Sequence, residues 1–456
     1  MSENKTDKPV VQPSRLRALQ SGLYLTAPLA AVSFVFFNRN WLKNSLCINN
    51  IAHYFGLETS LKSSHEWAEP YTMCVDPYWV NQWLKNYGAG PSKRGLLGEI
   101  AVHIFDGRIN LFALNCLALV ILTLIAYGIF GFLVRIGGRN SLPKAAIFTT
   151  LLWLTPFGKS LSETAGDPLQ VSILLLMLTA VMIKFCKLGP SIRDLFLSIA
   201  YCLSILIHEG SFLLLLPAFI LMGRRTAPWW GGVGIALLIT YGFSSAEDIG
   251  TQSLITSRLS AYNPFNNLEL SYKAGGGIAS QVGFATNLRM EVLRYIKSPS
   301  EIVGQFYRTL VFILFFAMCF IGWIQTYYLP AANKFLKTWL ICFPITLPFF
   351  FITHDWVRYG VINLLTCLCC SAMTSDKSRK HQKPTPKLGS ANLITKSLGS
   401  APWIALLLLT ILIGPHFNRH DIRTFPPSRL GPKYTLLFLA SIPLVLIERR
   451  TKAFHS

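Results

Sequence analysis

Charge is scarce in this chain, and acidic charge is the scarcer half. Asp, Glu, Lys and Arg make up 14% of 456 residues, with 21 acidic side chains against 42 basic ones. An average soluble domain carries about 25%. With hydrophobic residues at 52%, the shortage argues against an ordinary soluble domain and for a chain that buries long apolar runs in a bilayer. Several motifs are missing as well. His208-Glu209 is followed by Gly210, Ser211 and Phe212, so HExxH is absent and a zinc protease is excluded on spacing. The ten cysteines form no zinc framework; Cys367, Cys369 and Cys370 sit in an apolar context where thiols serve as small packing groups. No internal repeat appears. Met1 to Gln20 is polar and basic, and the apolar run after it lacks a small-residue cleavage site, so that run reads as an anchor and not as a removable leader. The formal charge of +21 is scattered between apolar spans with no aromatic-interleaved surface, which excludes nucleic acid as a partner.

What is present is a succession of apolar runs. The longest, Trp339 to Met373, is interrupted once by His354-Asp355-Trp356-Val357-Arg358. At about 1.5 Å per helical residue it exceeds one bilayer crossing, so the expectation is a crossing, a turn at HDWVR and a return. The same reading along the chain predicts twelve spans: Gln20–Phe37, Asn110–Val134, Lys144–Phe157, Pro168–Cys186, Leu195–Ile207, Ser211–Met222, Trp229–Phe243, Thr309–Leu329, Thr338–Thr353, Tyr359–Met373, Pro402–Ile413 and Tyr434–Ile447. The fold expected is an all-α, polytopic integral membrane bundle of about 12 transmembrane helices with two longer extracytoplasmic loops. A basic segment, 1–19, precedes a transmembrane core, 20–373, that carries outer loops 38–109 and 244–308. A Pro- and Lys-rich linker, 374–401, and a C-terminal hairpin with a basic tail, 402–456, complete the chain.

An even number of spans puts both termini on one side. That side collects Arg15, Arg17, Arg135, Arg139, Lys184, Lys187, Arg224, Arg225, Arg449 and Arg450, which marks it as cytoplasmic. All acidic residues except Glu3, Asp7, Asp194, Asp376 and Glu448 then fall on the opposite face or at helix ends pointing to it. The working face is therefore expected outside the cytoplasm of a bacterial inner membrane, a compartment that would allow Cys47 and Cys74 to form a disulfide or to stay free.

Four polar constellations reach that face. The first loop carries Glu66, Glu69 and Asp76, then Lys93 and Arg94 before Gly95 at the start of an amphipathic helix. Fixed cations beside backbone N–H groups suit a diphosphate; an interfacial helix with snorkelling cations is the plainer reading. The turn Glu163-Thr164-Ala165-Gly166-Asp167-Pro168 reads first as a helix start, with Asp167 as N-cap and Pro168 at the first helical position. Glu163 beside it makes a carboxylate pair able to serve as acid or base. His208-Glu209 lies between two short apolar runs and is either a site or a structural pair holding a helical hairpin. In HDWVR, Asp355 either orients His354 or pairs with Arg358.

The boxes SETAGDPLQVSILLLMLTA, IHEGSFLLLLP and THDWVRYG, each capping an apolar span, resemble those of multi-spanning GT-C-type glycosyltransferases and the related O-antigen and exopolysaccharide polymerases. The resemblance implies transfer of a sugar from a polyprenyl-phosphate or polyprenyl-diphosphate donor at the extracytoplasmic face. It implies a carboxylate base, Asp76 or Glu66, although no DxD motif is present. Asp76, Glu163, Asp167, His208, Glu209, His354 and Asp355 are the catalytic candidates. Lys93, Arg94, Arg258, Arg289, Arg294 and Arg358 are candidates to hold the diphosphate. Membrane lipids, the lipid-linked donor and other glycan-assembly membrane proteins are the partners implied. No redox cofactor is needed, and the carboxylates neither require nor forbid Mg²⁺. A transporter or flippase using the same ionisable groups as a relay is the alternative, and a non-catalytic membrane scaffold the third.

Overall fold

In the computed structural model, the structure describes residues 13–38, 79, 83, 95–104, 111–137, 141–185, 189–222, 293, 296–297, 299–352, 356–374, 400–413 and 430–453. Among the described residues there are thirteen α-helices and no strand. In chain order they are α1 (Pro13–Asn38), α2 (Gly95–Ile104), α3 (Leu111–Gly137), α4 (Leu142–Leu154), α5 (Pro156–Glu163), α6 (Pro168–Phe185) and α7 (Pro190–Ile207). There follow α8 (Ser211–Met222), α9 (Pro299–Tyr327), α10 (Leu329–Ile352), α11 (Trp356–Thr374), α12 (Ala401–Ile413) and α13 (Leu430–Ala453).

The breaks have local causes. Thr155 precedes Pro156, which disfavours helical backbone at Thr155. It adopts an extended conformation, and its hydroxyl accepts the Phe157 N–H at 3.3 Å to start α5. Pro190 and Pro168 each open a helix at a position where the missing N–H costs nothing. Between α7 and α8 the backbone of His208 is extended, which ends the first helix and turns the chain into the second.

α11 is the centre of the bundle. Every residue from Val357 to Ser371 is buried, and the helix packs against α3, α5, α6, α8, α9 and α10. Close approach needs small residues: a Cβ on Gly360 would lie 2.4 Å from Ile313 of α9, and one on Gly322 of α9 would lie 2.0 Å from the Trp403 ring of α12. An aromatic layer of Phe312, Phe315 and Phe316 meets Tyr434 and joins α9 to α13.

The twelve-span expectation is corrected here. Among the described residues three helices are long and apolar enough to cross a membrane: Ala113–Ile136 in α3, Pro190–Ile207, which is α7, and Phe306–Tyr327 in α9. Other apolar helices are shorter, with Leu142–Leu154 at 13 residues and Ala401–Ile413 at 13. Thirteen residues rise about 20 Å, short of a hydrocarbon layer of about 30 Å. α11 is apolar because it is enclosed by other helices, and a helix buried all round reads apolar all round. Even in α9, 78% of the most apolar window is buried inside the protein. The expected span Trp229–Phe243 lies outside the described residues.

With the polytopic frame go the readings that depended on it. The resemblance to GT-C enzymes and polysaccharide polymerases, the transfer from a polyprenyl-linked sugar at an outer membrane face, the transport alternative and the multi-pass inner-membrane assignment are not supported by a bundle with three span-length helices. The orientation argument rested on twelve crossings, a number that the described residues do not provide. Cys47, Cys74 and the Lys377–Lys396 linker lie outside the described residues.

Candidate functional site

A buried ion pair joins the start of α6 to the start of α11. The chain leaves α5 through a turn in which Gly166 takes φ 87, a left-handed conformation that glycine adopts without penalty. Asp167 follows, and its carboxylate does two jobs. Oδ1 accepts the Leu169 N–H at 3.0 Å and caps α6. Oδ2 accepts from Nη1 of Arg358, 191 residues away, at 2.9 Å. Asp167 is 1% and Arg358 5% exposed, so the pair is removed from solvent on both sides.

Aromatic groups enclose the cation. Nη2 of Arg358 donates to the Tyr359 hydroxyl at 2.9 Å, and the guanidinium lies 4.8 Å from the Tyr359 ring centroid and 5.0 Å from that of Trp79. Such placement over π faces favours a desolvated cation by about 2 kcal/mol. Trp83 donates its indole N–H to the Gly166 carbonyl at 2.6 Å and braces the turn that presents Asp167.

Gln170 sits one helical turn beyond Asp167. Its amide nitrogen donates to the Leu161 carbonyl at 2.7 Å and to the Thr164 hydroxyl at 3.2 Å, and Thr164 in turn donates to the Ser160 carbonyl at 2.7 Å. The other end of this network is open. Among the described residues, Gln170 Oε1 and the hydroxyls of Ser160 and Ser211 are buried with no hydrogen-bond partner. Lys159, in the same helix as Ser160, is also buried.

His208 and Glu209 arrive at the same end by helix register. Ser172 of α6 donates to the Ser204 carbonyl of α7 at 3.2 Å, so stepping one turn back along α6 and one turn on along α7 brings Pro168 level with His208. His208 Nδ1 accepts the Gly210 N–H at 2.9 Å, which in the neutral ring places the proton on Nε2. Glu209 Oε2 lies 3.8 Å from the same Nδ1. The Tyr201 hydroxyl donates to the Phe212 carbonyl at 2.6 Å and closes the α7–α8 hairpin. His208 is buried in the α7–α8 turn, and its contacts to Glu209 and Gly210 are to the next residues of that turn.

The structure brings Asp167 and Arg358 together and sets His208 and Glu209 at their level. Glu163 is the last residue of α5, and only its backbone is described. Asp76, Lys93, Arg94, Arg258, Arg289, Arg294, His354 and Asp355 lie outside the described residues. The described partner of Arg358 is Asp167, a pairing that no local spacing announces. Sequence reasoning missed Trp79, Trp83, Tyr359 and Gln170. Gln170, a lone amide in the apolar run PLQVSILLL, is the one that polarity alone marks out.

Among the described residues no group of three His, Cys, Asp or Glu side chains can hold a metal. Cys367, Cys369 and Cys370 of α11 are buried, and burial pushes their thiols well above the usual range, which keeps them protonated and unreactive. The fold and site thus define a helical bundle with a guanidinium–carboxylate pair enclosed by aromatic rings at one end. Comparisons with protein families, with curated proteins and with solved structures found no match to this chain.

Proposed function

We propose that this end of the bundle is the binding site for a small polar organic molecule, and that the protein acts by binding it. The observation that carries the reading is the open end of the Gln170 network. A buried acceptor left without a donor costs about 1–3 kcal/mol, and Gln170 Oε1, Ser160 and Ser211 each stand in that state among the described residues. Buried polar groups in native proteins are satisfied by protein, by ordered water or by ligand. An N–H or O–H group on a bound molecule would satisfy Gln170 Oε1, and the Arg358–Asp167 pair beside it supplies orienting charge. Few polar groups converging within apolar and aromatic walls is the ordinary composition of a small-molecule site.

The test is a thermal-shift screen on the full-length protein with glycerol, acetamide, L-alanine, isobutyrate, isopropylammonium and inorganic phosphate. The reading expects at least one of these to raise the unfolding temperature of the parent and to lose that effect in a folded Gln170→Leu variant, since a ligand that binds only the native state stabilises it by mass action. Failure of every compound, or an equal shift in the variant, would remove the reading.

A further inference from the structure

The outer face of α7 carries an unusual share of exposed apolar surface. Ile192, Leu195, Phe196, Ile199 and Leu203 are each between 37% and 57% exposed, and no other helix has more than three large exposed apolar side chains among the described residues. They recur at steps of one, three and four, so they form one stripe along the helix. The opposite face is occupied: Leu197, Tyr201, Ser204 and Ile205 are buried, and the Ser204 carbonyl accepts from Ser172 of α6. That hydrogen bond sets the register of the two antiparallel helices, bringing Val181 and Met182 level with Leu195, and Leu178 level with Ile199. These three side chains of α6 are exposed as well. The stripe therefore widens onto its neighbour.

We infer that this face is where two copies of the chain meet, with α7 of one protomer against α7 of its partner about a two-fold axis. Three observations commit the face to a second copy. The first is area. A large side chain left about half exposed presents roughly 90 Å², so the α6–α7 patch offers roughly 700 Å² per copy, close to the ~800 Å² per partner of a stable interface.

The second is charge. The chain carries 42 basic side chains against 21 acidic ones, and that excess opposes the approach of two copies. No charged residue occurs from Pro168 to Ile183 of α6 or from Leu195 to Ile207 of α7. The patch can thus meet its own image without like charges in contact, which a two-fold interface requires because each surface faces itself.

The third is length. From Ile192 to Leu203 the stripe rises about 17 Å, roughly half the thickness of a hydrocarbon layer. Such a stripe is short for lipid and long enough for a helix crossing, in which two axes approach to about 8–10 Å. Ile199, near its middle, then lies close to the Ile199 side chain of the other copy.

Sedimentation velocity of the full-length protein over a range of concentrations should show a species of twice the chain mass. Ile199→Glu sets two carboxylates against each other in the seam and should weaken association about 30-fold or more, the scale of a central interface residue, with an unchanged circular dichroism spectrum. Should that variant fail to fold, Ile199→Cys in a Cys116→Ser background replaces it. A bis-maleimide spanning about 10 Å should join its two copies covalently, and Cys116→Ser alone, which lacks the exposed native thiol, should give no such product. A parent that stays monomeric at every concentration would overturn the inference. So would a dimer that Ile199→Glu leaves intact, or one that the Ile199→Cys thiols fail to bridge, since the copies would then meet elsewhere. A monomer that floats with phosphatidylcholine vesicles, and loses that property in Ile199→Glu, would also overturn it and give the face to lipid.

Discussion

Replacing Asp167 by Asn separates the two jobs of one carboxylate. Asn caps a helix about as well as Asp, so the Leu169 N–H keeps its acceptor and α6 keeps its start. What disappears is the charge facing Arg358 at 2.9 Å. Side-chain exposures of 6% for Arg358 and 0% for Asp167 leave almost no solvent to compensate the cation. The loss should therefore be that of a broken buried pair, about 3–5 kcal/mol. Asp167→Ala should lose about 1 kcal/mol more through the missing cap. Arg358→Met alone leaves the opposite charge stranded and should cost a similar amount, while the double variant Asp167→Asn/Arg358→Met removes both charges and should recover most of the loss. Far-UV circular dichroism melts of the four proteins in one buffer give the cycle. Each single variant should unfold on the order of 5 °C or more below the parent, given the usual relation of free energy to melting temperature. A coupling below about 0.5 kcal/mol, the level at which independent sites simply add, would refute the account of the pair. So would an Asp167→Asn protein that melts with the parent while Asp167→Ala does not, because the carboxylate would then be a cap and nothing else.

Three other outcomes follow from the packing and the burial. Gly322→Ala puts a methyl 2.0 Å from the Trp403 ring, which is 1% exposed; a loss of about 1–3 kcal/mol is expected, and a melt unchanged from the parent would show that α9 and α12 do not meet there. Gly166→Ala places a side chain at φ 87 and should cost about 1–2 kcal/mol while weakening any ligand that depends on Asp167; an unchanged melting temperature would argue against that turn. Peptide mapping after maleimide treatment of the folded protein should find Cys116, which is exposed, labelled before Cys367, Cys369 and Cys370, whose buried thiols resist ionisation. Prompt labelling of the α11 cysteines would contradict the burial of that helix.

Helix starts were legible in the sequence because their chemistry is local. Asp167-Pro168 announces an N-terminus in two residues, and α6 begins there, whereas α7 begins at Pro190, ahead of the expected Leu195. The number of bilayer crossings was not legible, because hydropathy does not distinguish a helix wrapped in lipid from one wrapped in other helices. Val357–Ser371 is apolar for the second reason, and its burial at every position shows it. HDWVR was singled out as a box interrupting an apolar run, and of its residues Trp356, Val357 and Arg358 are described. The partner of its arginine was not readable, because Asp167 reaches Arg358 only through the packing of α6 on α11. Trp79 was invisible for the same reason: an isolated indole gains meaning only when a cation from 279 positions further along lies against it.

The enclosure of α11 has a consequence for the order in which the molecule can be assembled. A chain emerges from its N-terminus, at about 5–20 residues per second during synthesis. Helices α3, α5, α6 and α8 are made long before Trp356, yet each of them packs against α11. Until α11 is made, those four helices have an unfilled face where its side chains belong. The earlier part of the protein must therefore wait for its middle to be supplied from behind, and any truncation before residue 356 leaves those helices without the one that they surround.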